Sequence, residues 1–173
     1  MKRILLLLIA AMAAIAGAAQ AYPPAAAPDL EFVLQLKVNI GEAYAVGATP
    51  RGQRYVVPIT GGTFEGPGIR GTVVPGGADY QLATDDGRRT DLEAIYCIRT
   101  DDGTNIHVRN RGIVVSGNAA NGAPRNYFMA APVFEAPGDS RYAWLNDAIY
   151  VCAPVFVEGF PGIVLNVWRV TAP

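Results

Sequence analysis

The chain has 173 residues, 51% of them hydrophobic, with 15 acidic residues against 14 basic ones and a single histidine. A near-balanced charge with scattered basic residues excludes a nucleic-acid footprint. One histidine and two cysteines leave little from which to build a metal centre or a nucleophile–histidine pair.

The first 21 residues, MKRILLLLIAAMAAIAGAAQA, have the parts of a secretory leader. Lys2 and Arg3 give the positive start, an apolar run follows, and Ala19-Gln20-Ala21 is a small-x-small cleavage site. The apolar run is shorter than the roughly 20 residues a spanning helix needs. Cleavage after Ala21 is therefore expected, leaving 173 − 21 = 152 residues and moving the formal charge from −1 to −3. That length suits one domain with a substantial core. The expected product is periplasmic or secreted, with no membrane attachment once the leader is gone. Residues 22–29, beginning YPPAAAP, read as a flexible Pro/Ala tail, and 30–173 as the folded domain.

Alternation dominates from Leu30 onward. In Leu30–Ile40, Phe32, Leu34, Leu36, Val38 and Ile40 share one parity, the pattern of a strand with one dry face. Similar runs occupy Arg54–Thr60, Arg70–Val74, Asp79–Ala83, Asp91–Thr100, Asn105–Val114, Tyr127–Glu135, Ala148–Val157 and Ile163–Val170. Turn signals separate them, among them Pro75-Gly76-Gly77, Asp85-Asp86-Gly87, Asp101-Asp102-Gly103 and Pro161-Gly162. The one helix-like piece, Ser140–Asp147, is two turns at most. Some nine short strands joined by tight turns predict an all-β meander, and a sheet that long closes to remove its edges. The expected fold is a single antiparallel β-barrel of about eight to nine strands.

Gly66-Pro67-Gly68-Ile69-Arg70-Gly71 matches the dinucleotide pattern G-x-G-x-x-G letter for letter. That fingerprint needs a helix after it to hold the pyrophosphate, and here Thr72-Val73-Val74 continues as strand. Pro67 also removes an amide donor. The glycines are expected to serve a hairpin and close strand packing, with no nicotinamide or other cofactor.

Several blocks together resemble a known family: Val57–Gly66, Arg70-Gly71, Pro75–Tyr80, Arg99–Gly103, Val108–Gly112, Pro132–Glu135 and Tyr142–Asn146. They are similar to domain-of-unknown-function family 3237 of bacteria and fungi, over about Leu30 to Val170. The resemblance implies a small antiparallel barrel similar in build to the allene oxide cyclase and dirigent barrels. It implies no activity and no catalytic residues.

No metal site is expected, since neither C-x-x-C, H-E-x-x-H nor H-x-H occurs. By parity His107 faces outward, while Tyr96 and Asn110 face the barrel interior. Glu65 and Glu135 lie beside turns and are expected to be solvated. Arg70 and Asp79, placed on facing strands, form either a buried ion pair or the polar end of a cavity, with Tyr127, Tyr142 and Trp144 as its apolar walls. Cys97 and Cys152, the only cysteines, are candidates for one disulfide in an oxidising compartment; an inward Tyr96 turns Cys97 outward, while parity leaves the face of Cys152 open, and a simple meander does not make their strands neighbours. These residues point to a small-molecule binding barrel. The alternatives are a cofactor-independent cyclase, isomerase or lyase, and a filled barrel with a structural or interaction role.

Overall fold

The computed structural model describes residues 25–118, 122 and 125–173. The leader and its cleavage site, with the first part of the Pro/Ala tail, lie outside the described residues. Nine strands run in chain order: β1 (Asp29–Ile40), β2 (Tyr44–Thr49), β3 (Gly52–Gly66), β4 (Ile69–Ala83), β5 (Arg89–Thr100), β6 (Asn105–Val115), β7 (Tyr127–Glu135), β8 (Ile149–Val155) and β9 (Gly162–Thr171). Each pairs antiparallel with its neighbour from β2 through to β9, β9 pairs with β1, and β1 pairs with β3. The result is a closed eight-stranded barrel with β2 attached outside it, along the first part of β3.

The expected strands are present with three corrections. Pro75-Gly76-Gly77 is not a turn. It is a bulge inside the 15-residue β4, where the register against β5 slips between Val74 and Ala78. The runs Arg70–Val74 and Asp79–Ala83 are thus one strand. β2 was not anticipated, and its residues are mostly exposed, so no dry face marks it. In β1 a bulge at Val33 shifts the register against β9, so Val33 and Leu34 are both buried and Phe32 turns outward. Phe32 there packs edge-on against Trp168, with ring centroids 6.2 Å apart.

The GPGIRG stretch makes the β3–β4 hairpin. Gly68 carries the positive φ of the turn, +74°. Gly66 and Gly71 allow close approach: a Cβ on either would stand 2.0 Å from a backbone oxygen, Val33 O and Arg99 O respectively. Strand β3 does lead into the motif, but the chain after it is strand β4, which leaves no helix dipole to face a pyrophosphate.

Eight strands enclose an interior that side chains fill over most of its length. The core holds Leu34, Leu36, Ile98, Ile106, Val108 and Val167, with Phe134 and Tyr150 edge-to-face at 5.0 Å. One end of the barrel carries the β3–β4, β5–β6 and β7–β8 connections, and it is plugged. A short 3₁₀ helix, Ala143–Asp147, buries Leu145 there, and Tyr142 donates its hydroxyl proton to Asp102 at 2.9 Å. Asp102 also accepts from the Thr100 and Thr104 hydroxyls, and these bonds, Thr100 first, hold its pKa down to about 2. The opposite end, where β4–β5, β6–β7 and β8–β9 connect, is the one with room in it.

Candidate functional site

At that second end lies a partly enclosed cavity, with about 70 Å³ of room for the centres of water-sized atoms. A single water needs about 10–15 Å³ on this measure, so the space takes several waters or a small organic group. The cavity follows from small side chains at inward positions. Gly112 of β6 pairs with Ala130 of β7, and Ala94 of β5 lies in the next row, opposite Asn110. A Cβ on Gly112 would come within 2.8 Å of the Ala130 methyl, so the backbones here are already close and no side chain projects. Around these gaps stand Ile40, Val57, Leu92, Phe128, Pro154 and Ile163.

Only three of the fifteen lining residues carry a polar side chain: Asp79, Tyr96 and Asn110. Strand register brings them together. Asp79 of β4 pairs with Ala94 of β5, and Ala94 pairs with Asn110 of β6, so the three form one row across the wall. With strands about 4.8 Å apart, the Asp79 and Asn110 backbones are about 10 Å apart, with only a methyl group between them. Tyr96 is two residues along β5 from Ala94 and faces the same way.

The carboxylate of Asp79 is held at both oxygens. Oδ1 accepts the Glu93 amide at 3.0 Å and Oδ2 accepts Gln81 Nε2 at 2.8 Å. Burial nevertheless wins over these two bonds and pushes its pKa up from the usual carboxylate value. Asn110 is 6% exposed, and its Oδ1 is buried with no hydrogen-bond partner. The Cys152 thiol, raised to about 12 by burial, lies near enough to the Asn110 amide for that amide to oppose the rise. It does not reach Oδ1 in hydrogen-bonding geometry. Tyr96 is buried, and desolvation lifts its phenol well above the ordinary value, so it stays protonated.

Of the sequence candidates, Asp79, Tyr96 and Asn110 therefore meet in one cavity. Arg70 does not join them. It stands on the same strand as Asp79, at the plugged end about 23 Å away at the rise of the seven β5 residues that separate their partners, and its exposed guanidinium pairs with Asp101 at 2.8 Å. The expected Arg70–Asp79 pair was an error of topology, caused by reading the β4 bulge as a turn. Tyr127 sits 45% exposed on the rim, and its neighbour Phe128 has the inward parity and lines the cavity. Tyr142 and Trp144 belong to the plug, Trp144 on its surface. Leu92, Ala94 and Gly112 share the faces of Tyr96 and Asn110, and that parity was the signal that could have named them.

His107 faces outward, 3.6 Å from Glu135, and Glu65 and Glu135 are exposed. Cys97 and Cys152 are both free. Tyr96 and Ile98 point inward, so Cys97 points out, whereas Cys152 shares the inward face with Tyr150. They lie on opposite faces of strands that are not neighbours. Among the described residues no three His, Cys, Asp or Glu side chains cluster as a metal site would require, and no helix is long and apolar enough to cross a membrane.

The family model described as protein of unknown function (DUF3237) matches residues 28–170. The chain belongs to that family. It is 35% identical to a UPF0311 protein of Rhodopseudomonas palustris over 135 residues, 72% of this chain and 87% of that one. The crystal structure of a conserved R. palustris protein of unknown function superposes with a TM-score of 0.74 at 29% identity, covering 84% of this chain and 99% of that one. A second relative is a hydroalkoxylation enzyme of Penicillium herquei, 29% identical over 147 residues, 85% of each chain. The structure of a P. herquei enzyme matches at 26% identity with a TM-score of 0.67, over 87% of this chain and 99% of that one.

Proposed function

We propose that this DUF3237 barrel binds a small, mainly apolar organic molecule at its wide end. The observation that carries the reading is the cavity itself. Apolar walls surround three convergent polar side chains, one of them a carboxyl whose proton affinity burial has raised, which is the make-up of a small-molecule site. Saturation-transfer NMR with toluene tests it. Toluene should give a signal with the wild type and none with Ala94→Phe, whose ring fills the space between Asp79 and Asn110. No toluene signal from the wild type, or equal signals from both proteins, would remove the proposal.

A second reading, that the barrel is an enzyme needing no cofactor, is favoured by the Asp79 carboxyl and by the P. herquei relative. Adding a hydroxyl across a carbon–carbon double bond takes a proton from oxygen and delivers one to carbon. Asp79, with Glu93 N–H and Gln81 supporting its charged form and burial supporting its neutral form, suits such a proton transfer. Turnover abolished in Asp79→Asn, with ligand binding retained, would separate enzyme from binder. Export belongs to the same proposal: sequencing of the exported protein should begin at Tyr22.

A further inference from the structure

From the outer wall of the barrel we infer a symmetric homodimer, in which two copies of this chain stack face to face through the sheet surface of β1, β9, β8 and β7. The inference concerns the outside of the barrel and does not depend on the ligand cavity.

Three observations lead there. First, β8 and β9 are apolar on both sides. A strand with one face in water alternates apolar with polar residues, whereas a strand covered on both faces reads as a near-continuous apolar run. β5 and β6 follow the first pattern: Asp91, Glu93 and Arg99, with His107, Arg109 and Arg111, all turn outward. β8 (IYVCAPV) and β9 (GIVLNVWRVT) follow the second. Tyr150, Cys152, Leu165 and Val167 are buried inside, and the outward positions of both strands hold no charged residue. Their one outward polar side chain, Asn166, is taken up by Gln35 of β1 at 2.8 Å.

Second, register assembles these outward residues into one surface. Leu30, Val170 and Ile149 form a row across β1, β9 and β8, and Phe32, Trp168 and Val151 form the next. β7 joins β8 through Ala130 and Cys152, a register that carries Val133 to the side of Ile149. Ile149 is 74% exposed, and Leu30 and Val133 are each 59% exposed. Among the described residues no element lies over them, since β2 runs along β3 and the 3₁₀ helix sits at the plugged end.

Third, the size and chemistry of the surface suit a second copy. It leaves on the order of 500 Å² of apolar area open, at the upper end for a monomer and more than half of the roughly 800 Å² each partner gives to a standard interface. Homodimer interfaces are the more apolar ones, and an uncharged surface offers nothing for a charged partner to match. A twisted apolar sheet face is complementary to itself: two of them stack about 10 Å apart with side chains interdigitated, and one two-fold axis covers both at once.

Sedimentation velocity of the purified, folded protein tests this. Ile149→Glu and Val133→Lys each place a charge on the surface, and Arg99→Ala on the opposite wall is the control. Both face variants replace side chains that water already reaches in a single barrel, so the barrel should still fold, which circular dichroism checks. The wild type and Arg99→Ala should sediment as dimers at micromolar concentration. Each face variant should weaken the dimer by about a hundredfold or more, because the new charge would be buried without a partner. The melting temperature should rise with protein concentration in the wild type and not in the face variants. A monomeric wild type would overturn the inference, whatever else binds to the face. Dimers that survive both face variants would also overturn it, and would move the contact to another surface such as the free edge of β2.

Discussion

Replacing Asn110 by leucine should make the protein more stable, an unusual outcome for a polar residue on a buried strand. Asn and Leu have the same branched skeleton, so the side chain occupies nearly the same space, and the adjoining cavity takes the added hydrogens. The wild-type Oδ1 is buried without a partner. Leaving a buried polar group unsatisfied costs about 1–3 kcal/mol, and an apolar group of the same shape removes that cost. For a chain of this size each kcal/mol moves Tm by about 2–4 °C, so Asn110→Leu should melt about 2–12 °C higher. Urea denaturation with an unchanged m-value would show that the gain belongs to the folded state. A loss of stability of more than about 1 kcal/mol would refute the reasoning. It would mean that the amide is satisfied in the folded protein, by an ordered water or by the Cys152 thiol, and was never idle.

Asp79→Asn should separate from the wild type according to pH. Burial raises the Asp79 pKa in the folded chain above the ordinary 3.8, and no charged side chain lines the cavity beside it. The stability this carboxyl contributes is therefore fully present below about pH 3.8 and lost as pH rises through the folded pKa, so Asp79→Asn should gain on the wild type as pH rises above 3.8, and parallel stability curves would contradict this. Gly71→Ala should cost about 1–3 kcal/mol in urea unfolding, because its Cβ would collide with Arg99 O at 2.0 Å; a neutral result would show that β5 yields there. Thiol titration of unfolded, unreduced protein should find two free thiols, since Cys97 and Cys152 face opposite sides of the barrel wall.

What the sequence revealed, and what it hid, follows from how strictly each strand alternates. β5 and β6 run without a bulge against each other, so the parity that sends Tyr96 and Asn110 inward and His107 outward is readable directly. β1 and β4 contain bulges: the one-residue bulge in β1 reverses the parity beyond it, and the two extra residues in β4 keep the parity but interrupt the alternation with Pro75-Gly76-Gly77. That is why Phe32 was placed in the core, and why Arg70 and Asp79 were assigned to separate strands that could face each other. β2 gave no signal because a strand exposed on both faces needs no hydrophobic face. The plug at the far end is tertiary: Tyr142 is aromatic and buried, as a cavity wall would be, yet its hydroxyl is committed to Asp102. Nothing in one sequence distinguishes those two uses of a tyrosine.

The difference between the barrel's two ends is the strongest argument for where function lies. At the plugged end the loops are tied to one carboxylate, although Tyr150 Oη and Arg169 Nε on that side are also buried without a partner. Thr100, Thr104 and Tyr142 all bond to Asp102, and Leu145 fills the space above the core. That end is built for stability. At the open end the chain uses Ala94 where a larger residue would fill the interior, and it leaves the Asn110 Oδ1 without a partner and a carboxyl partly desolvated. Each of these choices weakens the fold, and substitutions that reverse them are available at single positions. Packing alone gives no reason to place a methyl, a partly desolvated carboxyl and an unpartnered amide oxygen in the one row Asp79–Ala94–Asn110. Their concentration at one site is the observation that supports the proposed binding cavity.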